Sequence, residues 1–261
     1  MDKTMKVDLI GKGLYENIPD QLTLKALPTV SELDYVNGEE LDTVLLEKIL
    51  PEAIEEKVKL DDLLYIDFEW VCRCLRFLNF GPYCTANSVF CDECGNTSYG
   101  EYVVRLDSVS SKQLPEKFAN EITIKKESFL DFNGDAILKL PTIREMLNAY
   151  KDKAFQDTRN GRSNRELARI CYMVKKLGNK ASFTPVELSV YIKTSMSPAD
   201  YLILKGEVNE LSDYGLRAGG TATCPKCGNN DAAFLAMSDD KFMRPTLEDL
   251  RAWKADLAPK K

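Results

Sequence analysis

Cys91-Asp92-Glu93-Cys94-Gly95 and Cys224-Pro225-Lys226-Cys227-Gly228 decide how this chain is read. Each is a C-x-x-C followed at once by glycine. Two thiolates at that spacing converge on one tetrahedral ion, and the glycine lets the chain turn beneath them with positive φ. One such turn supplies half a coordination shell, and two close it. The chain contains no histidine, so a tetrahedral site is mostly sulfur. Cys91, Cys94, Cys224 and Cys227 are therefore expected to share one structural Zn²⁺ per chain. Closing a loop of about 130 residues costs roughly 4 kcal/mol plus a constant. A structural zinc contributes about 10–16 kcal/mol in small domains. The ion can thus clamp the two ends of an inserted subdomain.

A chain of 261 residues, 44% apolar and 29% charged, can bury a sizeable core. Its net charge of −6 argues against a broad phosphate-binding surface. No apolar leader follows Met1-Asp2-Lys3-Thr4, and no run approaches the length of a membrane span. Eight cysteines, four of them in metal-type turns, fit a reducing compartment. The competing reading of those cysteines is a disulfide framework in a secreted chain.

Outward from the first knuckle, Tyr83 to Phe90 and Tyr99 to Leu106 are expected as antiparallel strands, the first half of a zinc ribbon. Cys84 on the first of them is the candidate spare ligand. Glu121 to Lys125 and Ala136 to Leu140 alternate, with Asn133-Gly134 expected as a hairpin turn. They complete a small β-layer over residues 83–141. Around the second knuckle, Leu216 to Thr223 and Asp231 to Met237 form the other half, closed by Phe242-Met243-Arg244-Pro245. Between the halves lie four predicted helices: Thr142 to Ala154, Ser163 to Leu177, Pro185 to Lys193 and Pro198 to Asp213. Ser163-Asn164-Arg165-Glu166 is expected as a capping box, and Thr184-Pro185 and Ser197-Pro198 as helix starts. Cys171 faces with Leu167 and Val174 as a core residue.

Upstream, Gln21 to Leu27 alternates as a half-buried strand. Ser31-Glu32-Leu33 opens a short helix ending at Asn37-Gly38. Leu41 to Leu50 has helical spacing, and Pro51 breaks or kinks it. Asp61-Asp62 is expected to cap the most apolar helix, about 62–79, which Gly81-Pro82 ends. Cys72 and Cys74 on it are expected as buried thiols, since helical C-x-C points its sulfurs about 200° apart. Thr246-Leu247-Glu248-Asp249 caps a terminal helix. The expected class is α+β. Its parts are N-terminal strand and helices (1–82), a β-rich zinc-ribbon region (83–141 with 216–245), an inserted helical subdomain (142–215) and a C-terminal helix (246–261).

No catalytic constellation is visible. Without histidine there is no Ser-His-Asp or Cys-His pair, and neither phosphate-binding glycine motif occurs. Four thiolates leave zinc no open position for hydrolysis. Redox is the other reading of Cys-Pro-Lys-Cys, but such cysteines use a helix N-terminus, and here Gly228-Asn229-Asn230 turns instead. Zinc ribbons also bind nucleic acid. Lys226 is the one cation of the second knuckle and Asp92-Glu93 make the first acidic, so nucleic acid is the alternative partner rather than the expected one. Leu14, Tyr15 and Trp253 are candidate contacts for a protein partner, with packing on this same chain as the favoured alternative.

The order of these pieces resembles the baseplate hub and hub-assembly proteins of T-even contractile-tailed phages. Ile10-Gly11-Lys12-Gly13-Leu14-Tyr15 is similar to that family's glycine and apolar-Tyr opening. Gln21 to Leu27 with Val30-Ser31-Glu32-Leu33 resembles its strand and acidic helix. Leu41 to Leu50 and Leu63 to Gly81, with Asp67 and Leu75-Arg76-Phe77, resemble its next helices. The Cys91/Cys94 knuckle, Leu138-Lys139-Leu140-Pro141-Thr142, the second knuckle and Phe242-Met243-Arg244-Pro245 follow. The Pro-Ser expected in the opening is missing here, and Met243 replaces a second Phe. The resemblance implies a non-enzymatic component or assembly chaperone of the tail baseplate hub. Its implied partners are hub, tail-tube and tape-measure proteins. Its implied place is the virion baseplate, or the host cytoplasm during assembly.

Overall fold

The computed structural model describes residues 4–27, 41–112, 114, 118, 121–157, 162–179, 183–212, 215–230, 233–234 and 245–257. The expected helix from Ser31 and the segment 242–244 lie outside the described residues. The fold is α+β, with helices and small antiparallel sheets.

β1 (Thr4–Asp8) and β2 (Gln21–Lys25) form an antiparallel pair. α1 (Leu41–Val44) runs through a π turn (Leu45–Ile49) into α2 (Leu50–Ala53). Of the break or kink expected at Pro51, the break does not occur, and the helix runs on to Ala53. The proline's missing N–H and its ring are taken up where the helix widens, with Leu50 N–H donating to the Leu45 carbonyl five residues back. α3 (Tyr65–Phe80) is the central helix and buries Phe68, Val71, Leu75 and Leu78. Cys72 and Cys74 are buried on it, as expected.

The start of α3 departs from the sequence expectation. Asp61 and Asp62 do not cap it: Asp61 holds Arg144 at 2.8 Å and Asp62 holds Lys59 at 2.9 Å. The N-cap is Leu64, which has no capping side chain of its own. The phenol of Tyr15 serves instead, accepting from Leu64 N–H (3.0 Å) and donating to the Asp67 carboxylate (2.5 Å). Asp67, fully buried, also accepts from Ile10 N–H (2.5 Å) and Gly11 N–H (3.0 Å). Burial raises its carboxyl above the ordinary range, against the pull of these three donors. A Cβ at Gly11 would sit 2.8 Å from that carboxylate, so glycine is needed for the close approach.

β3 (Tyr83–Cys91) and β4 (Asn96–Lys112) pair antiparallel, with Cys91 opposite Asn96. β10 (Gly215–Thr221) pairs with the far half of β4, and β11 (Ala233–Phe234) pairs with β3, giving the order β10-β4-β3-β11. Of the expected strand 231–237, only these two residues are described.

The expectation of one β-layer over 83–141 is corrected. β5 (Glu121–Ile124) and β6 (Ala136–Lys139) belong to a second sheet, whose third strand, β9 (Val174–Leu177), comes from inside the insert. Their connection is also not a tight turn: it contains a 3₁₀ turn, Lys126–Ser128, pinned by Lys126 N–H to Asp135 (2.9 Å). Gly134 is there for contact, since a Cβ on it would lie 2.6 Å from the Gly178 backbone.

The insert contains α4 (Ile143–Lys151), a β7–β8 hairpin (Gln156–Asp157, Arg162–Ser163), α5 (Arg165–Met173), α6 (Pro185–Thr194) and α7 (Pro198–Ser212). Thr142 with Glu145 and Thr184 with Glu187 form reciprocal capping boxes. The N-cap of α5 is Asn164 rather than Ser163. α5 also stops four residues earlier than expected, because Val174 to Leu177 leave the helix to pair with β6. A bulge lets Val174 and Leu177, three apart, both face inward. Asp200, at the start of α7, accepts from Leu130 N–H (2.7 Å) and Phe132 N–H (2.8 Å), tying that helix to the β5–β6 connection.

Two hydrophobic cores result. One joins Leu22, Ile49, Leu63, Phe68, Leu75, Val89, Val104 and Cys224; the other joins Leu138, Met146, Ile170, Leu204 and Val208. They meet where Ile143 N–H donates to Leu63 (2.8 Å) and Tyr65 N–H to Pro141 (2.9 Å). α8 (Leu247–Leu257) lies on β3 and β4. Its buried Asp249 accepts from Thr85 (2.9 Å) and from Thr246 N–H (2.8 Å).

Candidate metal centre

The β3–β4 ladder ends at Cys91 opposite Asn96, and the four residues between them form the first knuckle. Three residues beyond β10, Cys224 opens the second. Its N–H donates to the Asn229 carbonyl (2.7 Å), and Gly228 N–H returns to the Cys224 carbonyl (2.9 Å). Gly95 and Gly228 have φ of 65° and 76°, the left-handed turn expected beneath the sulfurs.

The structure brings the four expected cysteines together. The Sγ atoms of Cys91, Cys94, Cys224 and Cys227 all lie within 4.8 Å of one another. Cys91 faces Cys227 at 3.6 Å and Cys94 faces Cys224 at 3.8 Å. These separations are far from a disulfide bond of about 2.05 Å, and all eight cysteines are free thiols. The group can hold a metal ion. Cys91 and Cys224 form its buried side, Cys94 is half-buried, and Cys227 is exposed.

The backbone prepares the site for a cation. The Cys94 N–H bonded to its sulfur is the foremost cause that brings the Cys91 thiol down to about 6, with help from Cys227 and Asn229. The Cys227 N–H, and then that of Lys226, lower Cys224. Cys227 goes the other way. The Asn229 N–H favours its thiolate, but desolvation and three sulfur neighbours competing for the same negative charge push it up to about 12. Four thiolates cannot all ionise side by side unless a cation neutralises them.

Cys84, the candidate spare ligand, is outside the group. It is buried in β3 near Arg76, and burial pushes its thiol up to about 11. Cys171 is likewise buried core. Sequence reasoning missed Asn229, whose side-chain amide lies 3.8 Å from Cys91 Sγ and whose backbone completes the second knuckle. Its signal was the place directly after the knuckle glycine.

The three candidate contact residues pack on this chain. Tyr15 bonds Asp67, Leu14 lies against the second core, and the Trp253 ring covers Gly81, where a Cβ would lie 2.5 Å from it. Among the described residues no helix is long and apolar enough to cross a membrane. No protein-family model, curated protein or solved structure matches this chain.

Proposed function

We propose that the protein is a non-enzymatic structural component or assembly factor of a phage tail baseplate hub. It acts through contacts with hub, tail-tube or tape-measure proteins, in the host cytoplasm during assembly or in the virion baseplate. The observation that carries this reading is the closed four-sulfur group built from two distant knuckles. These knuckles are the most specific part of the resemblance to that family. Other residues of the resemblance also hold the fold: Gly11 and Tyr15 fix the start of α3 through Asp67, and Arg76 ties the end of α3 to the Gly81 and Tyr83 carbonyls.

The ion of this reading is Zn²⁺. Zinc–thiolate bonds of about 2.3 Å in a tetrahedron set neighbouring sulfurs about 3.8 Å apart, close to the 3.6 and 3.8 Å separations here. An all-thiolate shell favours zinc or iron over harder cations. With every position filled by sulfur, the ion staples the fold.

The test is metal analysis together with affinity purification from infected cells at native expression. One zinc per chain with co-purifying tail proteins supports the reading. Zinc with nucleic acid and no tail protein replaces it with a zinc-ribbon nucleic-acid-binding regulator. A chain without metal removes its basis.

A further inference from the structure

The four sulfurs differ in access, and each accessible sulfur faces a shielded one across the gap between the knuckles. Exposed Cys227 faces buried Cys91 at 3.6 Å, and half-buried Cys94 faces buried Cys224 at 3.8 Å. The other four thiols, Cys72, Cys74, Cys84 and Cys171, are all buried. Among the eight cysteines, oxidation chemistry thus concentrates at the knuckles.

We propose that peroxide converts this metal site into a covalent clasp, forming Cys91–Cys227 and Cys94–Cys224 disulfides as the ion leaves. The proposal rests on the zinc reading above. In the zinc-loaded chain Cys227 would be held as the thiolate, and in the first step it attacks a peroxide oxygen, giving a sulfenic acid and hydroxide. The Cys91 thiolate then attacks the sulfenic sulfur and expels a second hydroxide. Two electrons pass from the sulfur pair to one peroxide, and two protons convert the hydroxides to water. A second peroxide oxidises Cys94 and Cys224 in the same way, which would leave no thiolate to hold the ion. Each pair must close from 3.6–3.8 Å to about 2.05 Å. Open space lies beside both knuckle glycines, since a Cβ at Gly95 or Gly228 would meet nothing within 4 Å.

The consequence is specific. Bonds within each knuckle would leave the two knuckles unjoined to each other once the ion is gone. Bonds between knuckles keep the segments around 91–94 and 224–227 together, so the staple changes from coordinate to covalent.

The experiment uses the zinc-loaded full chain and hydrogen peroxide. Metal content is measured before peroxide is added, so a chain that never held zinc counts against the metal reading, and a failure of the oxidation step is told apart from it. Zinc release is followed with a chromogenic chelator, and the product is mapped without reduction. Cleavage after Lys226 separates Cys224 from Cys227, and cleavage after Glu93 separates Cys91 from Cys94. The expected products are peptides linking Cys91 to Cys227 and Cys94 to Cys224, with zinc released in step and reloaded after reduction. Links of Cys91 to Cys94 or Cys224 to Cys227, links between chains, or release of zinc with over-oxidised unlinked cysteines would each overturn the proposal.

Discussion

Disrupting the β10 ladder should weaken metal binding without touching a ligand. Cys94 and Cys224 are about 130 residues apart along the chain, but β4 and β10 are already paired from Lys112↔Gly215 to Arg105↔Thr221. With that ladder in place, the ring closed by the ion runs only from Cys94 to Arg105 and from Thr221 to Cys224, about 14 residues. By the logarithmic rule the shorter ring saves about 2 kcal/mol of closure entropy, or about 30-fold in affinity. Arg217 and Ala218 are neighbours on β10. One of two successive strand residues points its N–H at the partner strand, so the double change Arg217→Pro/Ala218→Pro removes a ladder bond whichever it is. The assay is competition for zinc with a chelator of known affinity, with far-UV circular dichroism as a control for the helical insert. The expected result is a loss of up to about 30-fold in affinity with helicity retained. Affinity within about threefold of the unaltered chain would refute the argument, because the halves of the site would then be held together by something other than the ladder.

Other outcomes rest on the same geometry. Zinc binding should weaken as pH falls, because the ion must displace the proton of Cys227, pushed up to about 12. The loss should steepen below about pH 6, where Cys91 also takes a proton; titration of affinity between pH 5 and 8 checks the sign. Tyr15→Phe leaves Leu64 N–H and Asp67 each short of a partner, and should cost about 1–3 kcal/mol in urea unfolding. Gly81→Ala combines a φ of 73° with a Cβ 2.5 Å from the Trp253 ring, so it should displace α8, seen as a change in tryptophan fluorescence and loss of amide protection over 247–257. Cys84→Ala should leave the zinc content unchanged, whereas Cys91→Ser and Cys224→Ser should each lower it.

Much of the site was legible because its chemistry is local. C-x-x-C-Gly states both the ligands and the turn that presents them, and the absence of histidine forces the two halves to pair. The helix starts at Thr184-Pro185 and Ser197-Pro198 were legible for the same reason, since adjacent residues mark them, whereas the cap of the box expected at Ser163 with Glu166 falls one residue off, on Asn164. What failed was settled by distant partners. Val174 continues the helical spacing of Leu167 and Cys171, yet the open edge of β6 takes it into a sheet. Asp61-Asp62 looks like a cap, but the start of α3 is satisfied by a phenol some fifty residues upstream. Pro51 reads as a break or a kink, and the π turn that carries the helix past it has no short-range signature. The division of the expected 83–141 layer between two sheets depended on where β9 would land, which periodicity does not state.

The bulge in β4 makes that strand a measuring stick. Asn87 on β3 faces both Gly100 and Glu101, because Ala86 pairs with Tyr102 and Ser88 with Tyr99. Three residues carry the chain from Thr221 to Cys224, a reach of at most about 11 Å. A straight strand from Asn96 to Arg105 would extend about 30 Å. The knuckles can meet only if β4 curls back, and a glycine-bearing bulge is where a strand bends and twists most. Inserting or deleting one residue between Asn96 and Arg105 would shift the first knuckle by about 3.3 Å, nearly a full edge of the sulfur tetrahedron. Strand length is therefore calibrated against the span of the ion, and a length change in β4 should be tolerated only with a matching change between Thr221 and Cys224.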